Sequence, residues 1–376
     1  MALDLEPDPA VAIVKKIKPV IPTYLMDYDV IKEKCNNFIK LFNGTVLYAV
    51  KVNPSLDVLK AIYNSGVRYF DVASINEVKV IYDNFPDAAL FFMHPVKSRE
   101  DIVESYSLGV RTFAFDSLKE YNKIKESIGD ISDITLFLRI QLPDIDTNAA
   151  IPLTKKFGAS LIESIELLKI VKNTIKHLGI TFHVGSQCMD ATSYEKSMKY
   201  SLDIVKKSNV SIDFLDVGGG FPSDYPNMIP EHFNHYMDTI NNAINDNGIK
   251  LFAEPGRALV SDSGKLIVKV ILRKGNVLYL NDGTYGGLFD AGKSVNFTFD
   301  CIAVRENEDL SSDMDSFSFA GPTCDSLDMM DGPFILPKDI DEGDYIIIKQ
   351  MGAYSECLRT SFNGYKDYNS YNIKSI

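Results

Sequence analysis

The chain has 376 residues, of which 45% are hydrophobic and 24% charged, and a formal net charge of -12 at pH 7. That length allows two domains, or one large barrel with an appendage, and the composition is ordinary for a globular protein. The acidic balance argues against a nucleic-acid partner, whose phosphates it would repel, and is compatible with a cationic substrate. No apolar run approaches the length of a membrane span, so no membrane partner is expected. The five cysteines, Cys35, Cys188, Cys301, Cys324 and Cys357, are odd in number and widely spaced. They predict neither a disulfide framework nor a zinc site, and they suit a reducing compartment. The opening MALDLEPDPA is acidic and lacks an apolar signal core, so a cytoplasmic location is expected.

In chain order, a short apolar run at residues 22–26 comes first. Eight β-rich runs follow, at 47–52, 69–73, 90–93, 112–115, 135–140, 180–184, 214–217 and 251–253. Amphipathic stretches such as 55–64, 98–108 and 194–207 lie between them. The alternation predicts repeated βα units, and near-continuous apolar strands predict burial on both faces. About eight such units predict an α/β fold with a (β/α)8, TIM-like barrel over residues 27–259. After Arg257 the helical period is lost. Runs at 266–272, 277–280, 295–304, 317–320 and 345–351 read as strands of a C-terminal β-sandwich or β-barrel domain. That domain is predicted to comprise residues 260–376 together with 1–26, whose strand at 22–26 would join its sheet.

Polar motifs punctuate the ends of the predicted barrel strands. They are Tyr48-Ala-Val-Lys51, Phe182-His183-Val-Gly-Ser186, Asp216-Val-Gly-Gly-Gly220 and Ala253-Glu254-Pro-Gly-Arg257. Barrel enzymes build their sites at that rim. A lysine there can form a Schiff base with an aldehyde, although a lone lysine is more often a solvated surface residue. The turn Gly218–Gly219–Gly220 offers backbone N–H groups to a phosphate, or is simply a tight βα turn. Arg257 could add charge beside that phosphate or form an ordinary ion pair. Glu254 could keep a pyridinium nitrogen protonated, or be salt-bridged within the barrel. His183 could stack on a ring or be a hydrogen-bonded core histidine. In the β region, Cys324-Asp325 could serve the same site only by chain reversal or by meeting of two subunits. Tyr285 and Tyr354, both beside glycines, could be turn anchors or cofactor contacts. Together these are the parts needed to hold pyridoxal 5'-phosphate, and no histidine spacing suggests a metal.

In this order the motifs resemble the barrel-type, fold type III, pyridoxal-phosphate decarboxylases of basic amino acids, over residues 22 to 366. Phe92-Met93-His94-Pro95-Val96-Lys97 and Asn281-Asp-Gly-Thr-Tyr285-Gly are most similar to the short bacterial ornithine decarboxylases. The resemblance implies a barrel plus β domain in a head-to-tail homodimer with two shared active sites. It implies that Lys51 is the Schiff-base lysine, that Asp71 and Glu77 support the site, and that Arg139 lies behind it. By the same resemblance His183 stacks on the cofactor and Glu254 meets its ring nitrogen. Ser186, Gly218, Gly219, Gly220, Gly256, Arg257 and Tyr354 match the phosphate cradle. Cys324 matches the proton donor reaching in from the other subunit, and Asp325 the group that binds the distal amine. The segment after Tyr285 is shorter than in better-known relatives, and Asp290 is the candidate for a second amine-binding acid.

The reading that follows is decarboxylation of L-ornithine to putrescine, a step of polyamine synthesis. A dual-specificity lysine/ornithine enzyme is the close alternative, because one methylene supplies only ~1–3 kcal/mol of discrimination. A non-catalytic, polyamine-regulating homologue should have lost the lysine or the cysteine, and both are present. A racemase would need an acid/base on each face of the α-carbon, which Cys324-Asp325 does not suit.

Overall fold

The computed structural model describes residues 8–143, 148–153, 156–244 and 248–376. The acidic opening, residues 1–7, lies outside the described residues, as does that part of the predicted 1–26 segment. Contacts divide the chain into two units. The barrel unit holds residues 32–223 and 230–259; the β unit holds residues 1–31, 224–229 and 260–376.

The first strand, β1 (Thr23–Met26), belongs to the β unit. The barrel strands follow as β2 (Thr45–Ala49), β3 (Tyr69–Val72), β4 (Ala89–Phe92), β5 (Thr112–Phe115) and β6 (Thr135–Arg139). A short β7 (Ala149–Ile151) precedes β8 (His177–Thr181), and a short β9 (Ser186–Cys188) precedes β10 (Phe214–Asp216) and β11 (Lys250–Ala253). Eight of these close a barrel in the order β10-β11-β2-β3-β4-β5-β6-β8, every pair parallel, and β7 pairs with β9 outside it. The expected barrel is therefore present. Four of its helices start on side-chain caps: Ser74, Ser98, Ser117 and Ser160 each accept the N–H of the residue three further on. Such caps are worth about 1 kcal/mol each.

The lower barrel is filled by rings. Phe91, Phe137, Phe214 and Phe252 form a cluster in which Phe137 and Phe252 lie 5.4–6.2 Å, centroid to centroid, from each of the other rings. Gly179 on β8 makes room for them, since a Cβ there would stand 2.5 Å from the Phe137 ring. These rings pack the barrel axis with apolar side chains, below the C-terminal rim that carries Lys51, His183 and Glu254.

In the β unit, β12 (Gly264–Lys274), β13 (Val277–Leu280), β14 (Cys301–Val304), β15 (Met314–Ala320), β16 (Met329–Pro337), β17 (Tyr345–Ile348) and β18 (Asn369–Asn372) join β1 in one eight-stranded mixed sheet. As expected, the N-terminal strand enters this sheet, antiparallel to β12 and parallel to β18. A helix at Pro9–Ile17, capped by Asp8, buries Ala10, Ile13 and Val14 against Leu25, Ile267 and Ile347.

One predicted strand is shortened. Residues 295–300 lie outside β14, and the N–H groups of Val295 and Asn296 turn back to Gly292 O and that of Phe297 to Asp290 O. Asn296 sits at φ 61, outside the β region. The chain at 224–229 packs with the β unit, Tyr225 lying 5.1 Å from the Phe297 ring and Asn227 donating to Thr298.

Candidate active site

The rim of the barrel carries the chemistry. Lys51 stands in a 3-10 turn, Val50–Val52, directly after β2. Register places Ala49 opposite Asp71 on β3, and Lys51 Nζ donates to Asp71 Oδ2 at 2.8 Å. Asp71 is 3% exposed, whereas the lysine side chain keeps 42% of its surface. The carboxylate is fixed and the amine can reach a ligand. Glu77 accepts the N–H of Ala73 at 2.6 Å; burial raises its pKa, and Asp71 adds to the rise.

His183 follows β8. Its Nδ1 accepts the N–H of Gly185 at 3.0 Å, so the neutral ring carries its proton on Nε2. Burial, then the charges of Arg139 and Lys51, hold its pKa well below the usual histidine value. Glu254 follows β11 and is 4% exposed. Burial and the neighbouring Asp216 and Asp71 push its carboxyl well above the carboxylate range. Barrel closure by β11 against β2 brings Glu254 to the strand that carries Lys51.

The glycine turn is built for close approach. Gly218 (φ 67) and Gly220 (φ 97) occupy the left-handed region, where a Cβ would stand 2.2 Å from Phe182 O and 2.3 Å from Gly185 O. At Gly219 a Cβ would lie 2.8 Å from Glu254 O and 3.1 Å from His183 Nε2. Asp216 Oδ1 accepts the Gly218 N–H at 2.9 Å and pins the turn. Gly256 packs on Val52, and Arg257, 5% exposed, opens the next short helix. Ser186 begins β9 and is half-buried.

Lys51, Asp71, Arg139, His183 and Glu254 all line one cavity of about 350 Å³. The same cavity is lined by Met93, His94, Leu153, Lys156 and Phe157. The His94 ring meets Phe157 at 5.1 Å, and Lys156 Nζ lies 5.0 Å above the same ring.

The remaining candidates lie in the β unit. There the Tyr285 hydroxyl donates to Asp325 Oδ2, and the Leu327 N–H to its Oδ1 at 2.9 Å. Both bonds hold the Asp325 carboxyl below the usual range. Cys324 is exposed, its N–H bound to Asn363 Oδ1 at 3.0 Å. Asp290 is 6% exposed within its own 3-10 turn, whose backbone carbonyl takes the Phe297 N–H. Tyr354 is half-buried at φ 50, a left-handed turn position.

Residues 28–261 match the family model described as "Pyridoxal-dependent decarboxylase, pyridoxal binding domain". The chain belongs to this family. It is 33% identical to an ornithine decarboxylase of Schizosaccharomyces pombe, over 85% of this chain and 75% of that one. It is 27% identical to a lysine/ornithine decarboxylase of Selenomonas ruminantium, over 85% and 81%. The crystal structure of the Paramecium bursaria Chlorella virus arginine decarboxylase superposes with a TM-score of 0.85 at 28% identity, over 97% of this chain and all of that one. The family's cofactor is pyridoxal phosphate.

The cavity fits that cofactor on its own evidence. Glu254 Oε1 is buried and has no hydrogen-bond partner among the described residues, a place for a ring N–H. The glycine turn has no room for a Cβ, so its backbone can approach a phosphate closely. Among the described residues no helix is long and apolar enough to cross a membrane, and no cluster of acids, histidines and cysteines could hold a metal.

Sequence reasoning did not single out His94, Lys156 or Phe157 as cavity walls, nor Thr181 and Asp216 beneath it. His94 and Asp216 stand inside recognised motifs, which was the available signal. Their orientation depends on packing between strands that are distant in the chain.

Proposed function

We propose that this protein decarboxylates L-ornithine to putrescine as a homodimer, each site completed by Cys324 and Asp325 of the second copy. The observation that carries the reading is the convergence of Lys51, Asp71, Arg139, His183 and Glu254 on one cavity, in a chain of the decarboxylase family. Pyridoxal phosphate, when bound, supplies an electron sink for the charge left on the α-carbon as carbon dioxide departs.

The chain's own groups do the rest. Lys51 holds the cofactor's aldehyde carbon, and Asp71 fixes where the amine points. His183, neutral because it is buried, would stack on the ring and add no charge to it. Glu254 takes the ring nitrogen. Ser186, Gly218, Gly219, Gly220, Gly256, Arg257 and Tyr354 receive the phosphate. The thiol of Cys324 gives its proton to the α-carbon. Asp325, steered by Tyr285, receives the distal ammonium of the substrate, with Asp290 as a second acid. A buried ammonium needs such a partner, since losing it costs ~2–5 kcal/mol.

The relatives named above act, by their descriptions, on ornithine, on lysine and ornithine, and on arginine. The test is therefore product analysis with ornithine, lysine, arginine and diaminopimelate offered together. Putrescine as the main product is expected. Cadaverine or agmatine in excess would move the assignment to another basic amino acid, and no product would refute it.

A further inference from the structure

Parallel pairing of β10 with β11 sets Asp216 opposite Phe252, and Glu254 stands two residues beyond Phe252. Residues two apart along a strand share a face. The two carboxyl groups consequently meet in a hydrogen bond, with Asp216 0% and Glu254 4% exposed. Two ionised carboxylates have only acceptors, so this bond requires one proton between them. Asp216 already accepts at both oxygens: the Gly218 N–H at Oδ1 and the Thr181 hydroxyl at Oδ2, each at 2.9 Å. That is the coordination of a carboxylate. The proton therefore sits on Glu254, whose Oε1 has no partner among the described residues.

A count of charges agrees. The charged groups acting on the pair are Asp71 from β3, Arg139 from β6 and Lys51; His183 from the end of β8 stands beside Arg139 and Lys51, and Glu77 from the helix after β3 acts on Asp71 and Lys51. Lys51 is bound to Asp71. His183 is neutral. Arg139 faces Glu254, Asp216 and Asp71 together, so Lys51 and Arg139 are two cations against three carboxyl groups, and an ionised Glu254 would exceed them. Ionised in the free protein, Glu254 would be a buried charge without compensation, which is strongly unfavourable.

We propose that Asp216 and Glu254 form a one-proton pair that ionises Glu254 only when the cofactor arrives. On binding, the O–H bond of Glu254 breaks and an N–H bond forms at the neutral pyridine nitrogen. No electrons are exchanged with any other group, and the new pyridinium becomes the cation that Glu254 lacked. Asp216 is a positioning residue here: it touches no ligand, and it holds Glu254 in the donor state and the glycine turn in place. This inference rests on the assignment of Glu254 to the ring nitrogen in the proposed function.

The experiment is infrared difference spectroscopy at pH 7 on the full-length protein, stripped of cofactor and then reloaded with pyridoxal phosphate. The stripped wild type should show the carbonyl stretch of an un-ionised carboxyl, and Glu254→Gln should abolish it. Asp216→Asn should abolish it too, because a side-chain amide can donate to Glu254 and let it ionise. Asp216→Ser, which also offers a donor, replaces that variant if circular dichroism shows Asp216→Asn unfolded. Loading the wild type should remove the stretch. The proposal is overturned if no stretch is sensitive to Glu254→Gln, if the stretch survives loss of the Asp216 carboxyl, or if it survives loading. A loaded wild type that shows these changes but turns over no basic amino acid would refute the proposed activity and leave the pair intact.

Discussion

Replacing Lys97 by methionine keeps the bulk of the side chain and removes its ammonium. In the folded protein that ammonium is completely buried. It donates to Ala114 O at 2.6 Å and His94 O at 2.9 Å, and lies 3.1 Å from Glu120 Oε1, itself on a residue 4% exposed. The Lys97→Met variant leaves two buried carbonyls without this donor and a buried carboxylate with one cation fewer. Breaking a buried pair from one side costs about 3–5 kcal/mol. Lys123, 2.5 Å from Glu120 Oε2, remains and moves the figure to the lower end, about 3 kcal/mol. For a unit the size of this barrel, that is a fall in Tm of roughly 6–12 °C by calorimetry at fixed scan rate. The double variant with Glu120→Gln should recover part of the loss, since both partners then go together. A fall under about 2 °C, with the two single changes additive, would refute the claim that this buried pair stabilises the barrel.

Borohydride reduction of the loaded protein should fix the cofactor on Lys51, and mass spectrometry that finds the label on another lysine would overturn its role. Mixing Lys51→Ala with Cys324→Ala subunits should restore part of the activity if sites are shared, because one hybrid site regains both groups; no recovery despite demonstrated subunit exchange would exclude sharing. Asp325→Asn should lower ornithine turnover by orders of magnitude while the visible absorbance of bound cofactor is kept. Asp290→Asn, by contrast, separates two roles in steady-state kinetics: lost ornithine-to-lysine discrimination marks amine recognition, and a stability loss with unchanged kinetics marks a structural cap.

Much of this protein was already determined by its sequence. Apolar runs spaced at βα intervals can bury both faces only inside a parallel sheet, and about eight of them close it. Strand ends therefore mark the rim, which made Lys51, His183, the glycine turn and Glu254 legible as one site. Loss of the helical period after Arg257 likewise announced the β unit. Two elements of that unit were not legible. Strand β16 carries Gly332-Pro333 in its middle, and β18 is polar enough, Asn-Ser-Tyr-Asn, to read as a loop. Residues 295–300 read as a strand because Val, Phe and Phe alternate with polar residues, yet the N–H groups of 295–297 serve the turn around Asp290.

What tertiary structure alone decided is the company each polar group keeps. Lys51 and Glu254 become neighbours only because β11 pairs with β2 to close the barrel, and the buried Lys97–Glu120 pair joins β4's end to the helix after β5. Charge state follows from those neighbours. A local motif specifies a carboxyl group, but whether that group holds its proton depends on burial and on the count of nearby cations. Glu254 and Asp216 look alike in the sequence; the fold surrounds one with donors and leaves the other with an empty oxygen.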